Sequence, residues 1–434
     1  MLLAIMIALL LFFSLMGMEI AWAIGISALG FIVIDRMMGG GVPFTLVSQM
    51  MVTGIDTYSM LAIPLFVFAG DLMNAAGITQ RIIRFASAVV GHFHGGLANV
   101  GVLANFIMSG ISGSAMADAA ATGTVLMPEM KKKGFPDAFS SAVIAAASTV
   151  GPIIPPSIIF VMLGALMEIS VGRLFLAGII PGIIMFVAMF GITWWISRRE
   201  NYPREPKASG AEKMTALWQG LFALLAPVVI VATIVLGIAT PTEAAAVIVV
   251  YAMVLGFFVY RSLTIAAVFR AAGRTAITSS VIMLTVSTSG VFAFIAVSER
   301  MGEILTQAML AISNNVLVLL FLVNILLLIL GMFMEILPIL LILAPILFPL
   351  LGSMGVDSVH FGVVIVLNLM IGMITPPIGL NLFVVSAIGG VGVIEIFKAA
   401  IPYIIVLFAV LMLITYVPAL TLYLPDLLMP TKPH

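Results

Sequence analysis

The stretch Gly151-Pro152-Ile153-Ile154-Pro155-Pro156-Ser157 returns 221 residues later as Gly372-Met373-Ile374-Thr375-Pro376-Pro377-Ile378. Both copies lie inside strongly apolar surroundings. A proline in a helix interior removes one hydrogen bond and clashes with the preceding turn, at a cost of about 3 kcal/mol or more. Two in succession therefore predict a helix that unwinds and restarts. The same offset pairs Gly110 with Gly331, Pro128 with Pro349 and Gly134 with Gly355. Glycine and proline account for only 39 and 22 of the 434 residues. Six like-for-like pairs without a gap, counting Gly151, Pro155 and Pro156, argue for an internal repeat rather than coincidence.

The solvent around this repeat follows from composition. Hydrophobic residues make up 63% of the chain and charged residues 8%, against about 25% charged in soluble domains. Apolar runs recur at Leu2–Ile34, Leu174–Ile196, Leu217–Ala239, Val316–Phe333 and Ile401–Thr421. Each is long enough to cross a hydrocarbon core of about 30 Å as a helix. A β-barrel would show alternating segments of about ten residues instead. The first run lacks a basic start and a small-residue cleavage site, so it reads as retained transmembrane structure, two short spans parted near Gly17–Glu19. Cysteine is absent, which removes disulfides and thiolate metal sites. Zero formal net charge gives no case for a nucleic-acid partner; the partner is the lipid bilayer.

Basic residues gather at Arg81 and Arg84, at Lys131–Lys133, along Arg198–Lys213, at Arg261, Arg270 and Arg274, and at Lys398. Loops rich in lysine and arginine face the cytoplasm. The turns Ala239–Thr242, Ser313–Asn315 and Leu351–Ser358 have no such charge and fall outside, as do both termini. Arg173 and Arg300 are exceptions, placed at the outer face by this path. Residues 1–196 form a first half, with a hairpin over about 95–133 and a broken helix over about 138–168. A solvated cytoplasmic linker covers 197–214. Residues 215–434 form a second half, with a hairpin over about 316–354 and a broken helix over about 357–389. Lys131–Lys133 at the first hairpin exit correspond to Gly352–Met354 at the second. The two units are therefore expected in opposite orientations. The fold class is an all-α polytopic membrane protein with inverted repeats, two re-entrant hairpins and two broken helices. Inverted repeats of broken helices place binding sites near the bilayer midplane.

Ser109-Gly110-Ile111-Ser112-Gly113-Ser114 interrupts the apolar run Leu97–Thr124 and reads as the tip of the first hairpin; Gly331-Met332-Phe333-Met334-Glu335 holds the same place in the second. Backbone of this kind is tolerated at membrane depth only where protein or water covers it. Carbonyls freed at the breaks, with hydroxyls from Ser109, Ser112 and Thr375, offer oxygen ligands to hard cations, and the restarting half-helices offer positive dipole ends to an anion. Two cation sites around one anion site follow. For any single motif, a simple kink or small-residue packing would suffice; four motifs paired at one offset favour the functional reading.

Three stretches carry a resemblance: Ser109–Ala121, Gly151–Ser157 and Gly372–Leu382, joined by Leu61–Met73 with Ile63-Pro64-Leu65 and Ala69-Gly70-Asp71. They are similar to the large membrane subunit (M, DctM-type) of tripartite ATP-independent periplasmic (TRAP) transporters, over nearly the whole chain. The resemblance implies an elevator-type transporter of the bacterial inner membrane that carries an organic acid with sodium ions. A periplasmic substrate-binding protein (P-type) would deliver the substrate, and a separate small four-helix membrane subunit (Q-type) would brace the scaffold. It implies one sodium site at Ser109, Ser112, Gly151, Ile154 and Pro156, and a second at Gly331, Gly372, Thr375 and Ile378. Ile154 and Ile378 would serve through backbone carbonyls. The resemblance also implies Asp, in many members of that family, where this chain has Glu335.

We assign Ser114, Ser157, Asn381 and Arg300 as candidate substrate contacts. Asn381 lies one turn beyond the second break. Arg300 would pair with a carboxylate or sulfonate, although pairing with Glu299 or Glu303 is the preferred local reading. Asp118 is read first as a helix-capping carboxylate and second as a tuner of cation affinity, with the same choice at Glu335. Asp71 reads as structural. His92, His94 and His360 show no ligand spacing, so no metal catalysis is assigned, and no acid–base or nucleophile pair marks an intramembrane enzyme. A stand-alone sodium/divalent-anion symporter, needing no binding protein, is the alternative function.

Overall fold

The computed structural model describes residues 2–39 and 41–430, and within them the chain is helical without strands. It opens with α1 (Leu2–Leu15), α2 (Ile20–Met37), α3 (Phe44–Thr53), α4 (Ala62–Ala75, entered through a 3-10 turn at Tyr58–Leu61) and α5 (Ile78–Val90). A first unit follows: α6 (Gly96–Ser112), α7 (Ala115–Lys132), α8 (Asp137–Ser148), α9 (Ile158–Met167) and α10 (Val171–Arg199). Then come α11 (Gly210–Val235), α12 (Pro241–Val254, ending in a π-helical turn at Leu255–Val259), α13 (Ile265–Ser298) and α14 (Met301–Ile312). The second unit is α15 (Val316–Phe333), α16 (Ile336–Ser353), α17 (Ser358–Gly372), α18 (Leu380–Gly389) and α19 (Val393–Tyr416), and α20 (Ala419–Leu428) closes the chain.

Helices of the second unit begin 220 to 222 residues after their counterparts in the first. The repeat read from Gly and Pro is thus a repeat of elements: two arms meeting at a tip, a broken helix, and a long helix. Each unit is preceded by a shorter helix, α5 or α14. In α5, Ile78, Ile82, Ile83, Ala86 and Val90 are buried while Gln80 and Arg84 are exposed, an amphipathic pattern suited to lying along an interface.

Nine helices among the described residues are long and apolar enough to cross a membrane. The first apolar run is divided at Met16–Glu19 as expected, but of its two helices only Ile20–Met37 has spanning length. The run Ile401–Thr421 departs from expectation, because α19 stops at Tyr416 and Thr421 belongs to α20. Pro418 explains the break, since proline disfavours helical backbone in the residue before it. The Arg198–Lys213 linker is not simply solvated. Gly96 N donates to Pro203 O at 3.2 Å, Glu205 N donates to Gly91 O at 3.0 Å, and Lys133 Nζ meets Glu205 at 2.6 Å. These bonds fasten the linker to the base of the first hairpin.

Ionisable groups away from the breaks have mechanical roles. Arg173 pairs with Asp426 at 2.7 Å and donates to Met429 O at 2.7 Å, tying α10 to α20; this neutralises the basic residue that the charge pattern left at the outer face. Asp71 accepts from Thr275 at 3.0 Å and links α4 to α13. The buried His360 ring bridges Thr421 and the Thr415 carbonyl, at 2.8 and 3.2 Å.

Candidate transport site

The first hairpin turns at Gly113, whose φ of +60° suits glycine. A Cβ there would fall 2.8 Å from Pro156 O, and one at Gly151 would fall 3.0 Å from Asp118 Oδ2 and 3.2 Å from Ala115 N. Glycine is therefore required at Gly113 and closely fitted at Gly151, because the hairpin tip sits directly on the unwound backbone. Ser112 Oγ donates to Asp118 Oδ1 at 2.5 Å, and Ser109 Oγ donates to Asn105 O at 2.7 Å. Asp118 is fully buried, and its second oxygen has no hydrogen-bond partner.

That geometry changes the reading of Asp118. The cap of α7 is Ser114, whose hydroxyl accepts from Ala117 N at 3.4 Å. Asp118 instead turns back to Ser112 and holds an unpartnered oxygen against Gly151. A buried unpaired oxygen of an acidic group is costly, and a cation placed there would relieve it. Ser112, Asp118 and the backbone at Gly151 and Pro156 thus bring together oxygens of the kind hard cations prefer.

In the second unit the contact is backbone on backbone. A Cβ on Gly372 would lie 2.5 Å from Gly331 C and 2.7 Å from Gly331 Cα. Ile378 N donates to Met332 O at 3.1 Å, Thr375 N to Gly372 O at 2.9 Å, and Thr375 Oγ1 to Ile371 O at 2.8 Å. The position matching Asp118 is Ile339, so this set has a hydroxyl and carbonyls but no carboxylate. Among the described residues no three His, Asp or Glu side chains converge; an ion here would rely on neutral oxygens. Both Pro-Pro peptide bonds, Pro155-Pro156 and Pro376-Pro377, are cis.

Between the two tips lies a cavity of about 610 Å³. The first residues of four helices line it: Ala115 of α7, Ile158 of α9, Ile336 of α16 and Leu380 of α18. Two belong to each repeat. Four helix N-termini at one space bring together the positive ends of four dipoles, an arrangement that favours an anion, although Ala117 N and Phe160 N are already capped by Ser114 and Ser157. Among the described residues no lysine, arginine or histidine lines the cavity. The two carboxylates that do are Glu19 and Glu335, and Glu335 sits at the α16 cap position without a capping bond.

Of the four expected substrate contacts, Ser114 lines this cavity and the other three do not. Ser157 is fully buried; its hydroxyl donates to Pro152 O at 2.6 Å and accepts from Phe160 N at 3.2 Å, so it fixes the first break. Asn381 is fully buried and donates to Ser148 Oγ at 3.0 Å, joining the second break to the end of α8. Arg300 is exposed at the α13–α14 turn, 3.6 Å from Glu303, as the local reading preferred. The tip residues Ser112 and Gly113 lie against Gly151 and Pro156 in the first unit, and Gly331 lies against Gly372 in the second. Sequence reasoning missed further lining residues: Ser14 near the end of α1, Met18 and Glu19 of the α1–α2 turn, and Ile277–Thr285 of α13. Gly17, with its φ of +79°, was the one local signal that this turn is a defined structure.

Comparison with known proteins decides the family. Residues 5–420 match the family model described as tripartite ATP-independent periplasmic transporter, DctM component. The chain belongs to that family. It is the large permease subunit of a TRAP transporter, a multi-pass inner-membrane protein and not an enzyme. It is 40% identical over 411 residues to the sialic acid TRAP transporter large permease protein SiaM of Vibrio cholerae, with 95% of each chain covered. It is 38% identical over 438 residues to the C4-dicarboxylate TRAP transporter large permease protein DctM of Rhodobacter capsulatus, covering 98% of this chain and 99% of that one. Its fold is similar to that of the Alcanivorax borkumensis YdaH transporter, at a TM-score of 0.63 and 15% identity over 87% of this chain and 88% of that one. Family membership makes this DctM component one part of a tripartite system with a small membrane subunit and a periplasmic binding protein.

Proposed function

We propose that this DctM component takes up an organic acid together with sodium ions, by an elevator movement of the two hairpins and broken helices against the remaining helices. The observation that carries this reading is the cavity where four helix N-termini from two repeats meet without a basic side chain among the described residues. An organic anion there would be held by N–H groups and dipole ends, with Ser114 as a hydroxyl partner. Sodium enters as co-substrate and supplies the positive charge that the lining lacks. Ser109, Ser112, Asp118 and the carbonyls of Gly151, Ile154 and Pro156 would hold one ion. Gly331, Gly372, Thr375 and Ile378 would hold the other. The sialic acid and C4-dicarboxylate relatives suggest an acid of modest size.

The test is uptake into proteoliposomes containing the chain and its small subunit, with the cognate binding protein outside. Uptake should require an inward sodium gradient and the binding protein. Uptake unchanged without sodium would overturn the coupling. Full uptake without the binding protein would favour a stand-alone symporter.

A further inference from the structure

A second feature lies far from the hairpin tips. A groove of about 560 Å³ opens between α5, the first turns of α11 and the π-helical end of α12. Arg81, Arg84, Thr215, Trp218, Gln219 and Tyr260 line it. By charge pattern this is the cytoplasmic interface, since the Lys131–Lys133 exit and the 200–209 linker are joined at the same end of the molecule through Lys133 and Glu205.

The two guanidinium groups are arranged differently. Arg81 is fixed in place: Nη1 donates to Ala76 O at 3.0 Å and Gly77 O at 2.8 Å, and its guanidinium stacks 3.9 Å from the centre of the Tyr260 ring. Arg84, one turn along α5, is exposed. Among the described residues neither makes an ion pair with a carboxylate, although Lys131, Lys132 and Lys133 at the same face all do. Trp218 is 62% exposed beside them, and tryptophan at this depth marks the headgroup level. Gln219 adds a neutral amide donor on the opposing helix, while the Thr215 hydroxyl donates to Ala211 O at 2.9 Å.

We propose that this groove binds the phosphate headgroup of an anionic phospholipid of the cytoplasmic leaflet. Two unpaired guanidinium groups supply the charge, and Arg84 supplies a planar donor fork to the phosphate oxygens. Trp218 and Phe222 face the glycerol and acyl region. Basic pockets between membrane helices on this side are suited to such headgroups. The lipid would bridge α5, the helix that leads into the first hairpin, to α11. This inference does not depend on the proposed sodium coupling.

The test reconstitutes the full chain in bilayers of phosphatidylethanolamine with a minority of phosphatidylglycerol and reads retained lipid by native mass spectrometry. Wild type should retain phosphatidylglycerol in preference. Arg84→Gln should lower that preference about fivefold, the worth of one arginine at an anionic leaflet. The double variant Arg81→Gln with Arg84→Gln should abolish it, and Arg270→Gln, an exposed arginine at the same face, should leave it unchanged. Millimolar inorganic phosphate should not displace the lipid. No preference in wild type, full preference in Arg84→Gln, an equal loss in Arg270→Gln, or displacement by phosphate would each overturn the assignment.

Discussion

The two repeats share a backbone plan and differ in chemistry. In the first, the tip meets its break through side chains: Ser112 bonds Asp118, and Asp118 sets a free oxygen against Gly151. In the second, Gly331 and Gly372 touch directly and Ile339 stands where the first unit has Asp118. A duplicated unit has thus kept its glycines, prolines and break positions while one copy sets its acid, Asp118, against the break glycine and the other carries its acid, Glu335, at the cavity wall. The geometry that unwinds the helix is shared, whereas the charge that would select an ion is local. Each repeat should therefore fail in its own way.

The largest effect is expected at Gly372→Ala. The added methyl would overlap rigid backbone, which must shift, and overpacking of this kind costs about 1–3 kcal/mol or more. Gly151→Ala meets a side-chain oxygen at 3.0 Å, which can move aside, and backbone atoms only at 3.2 Å, so the overlap is milder than the 2.5 Å at Gly372. Thermal unfolding in detergent should rank Gly372→Ala well below Gly151→Ala; the reverse order would show that backbone contact is not what distinguishes the second unit. Next comes Asp118→Asn. Removing the charge while keeping the shape should raise the sodium concentration for half-maximal uptake about tenfold to a hundredfold, the worth of a charged hydrogen-bonding partner. Thr375→Ala removes one neutral hydroxyl and should cost about twofold to tenfold in the same assay. Equal effects for the two variants would erase the proposed asymmetry.

The smallest effect lies at the hairpin exits. Glu129 is held below the usual carboxylate range, chiefly by the hydrogen bond from Lys132. A depressed folded-state value means its stabilising contribution is complete above the unfolded value near 4.5 and is lost as pH falls through the folded one. Gly352–Met354 at the second exit carry no ionisable group. Acidification should loosen only the base of the first hairpin, visible as faster hydrogen exchange at Lys131–Gly134 than at Gly352–Gly355 relative to neutral pH.

The repeat was legible because glycine and proline record backbone constraint even where lipid makes almost every other position apolar. Helix ends, hairpin tips and both breaks followed from those two residue types. The roles of single polar residues were less legible, since they depend on which neighbour the fold supplies. Asp118 has the position of a cap, but Ser114 does the capping and Ser112 captures the acid. Asn381 lies close to the break in sequence, yet the left-handed Gly379 at the start of α18 accompanies a turn that buries it against Ser148. The α1–α2 turn was invisible as part of the cavity, because nothing in Met18 or Glu19 names the hairpins they face.

Hydrogen exchange of the full chain in a bilayer, with sodium against equal potassium, tests most directly whether both broken units hold cations. Sodium should slow exchange in Ser109–Asp118 with Gly151–Ser157, and separately in Gly331–Glu335 with Gly372–Asn381, and Asp118→Asn should abolish only the first protection at moderate sodium. Protection in neither segment, or identical protection with potassium, would contradict it.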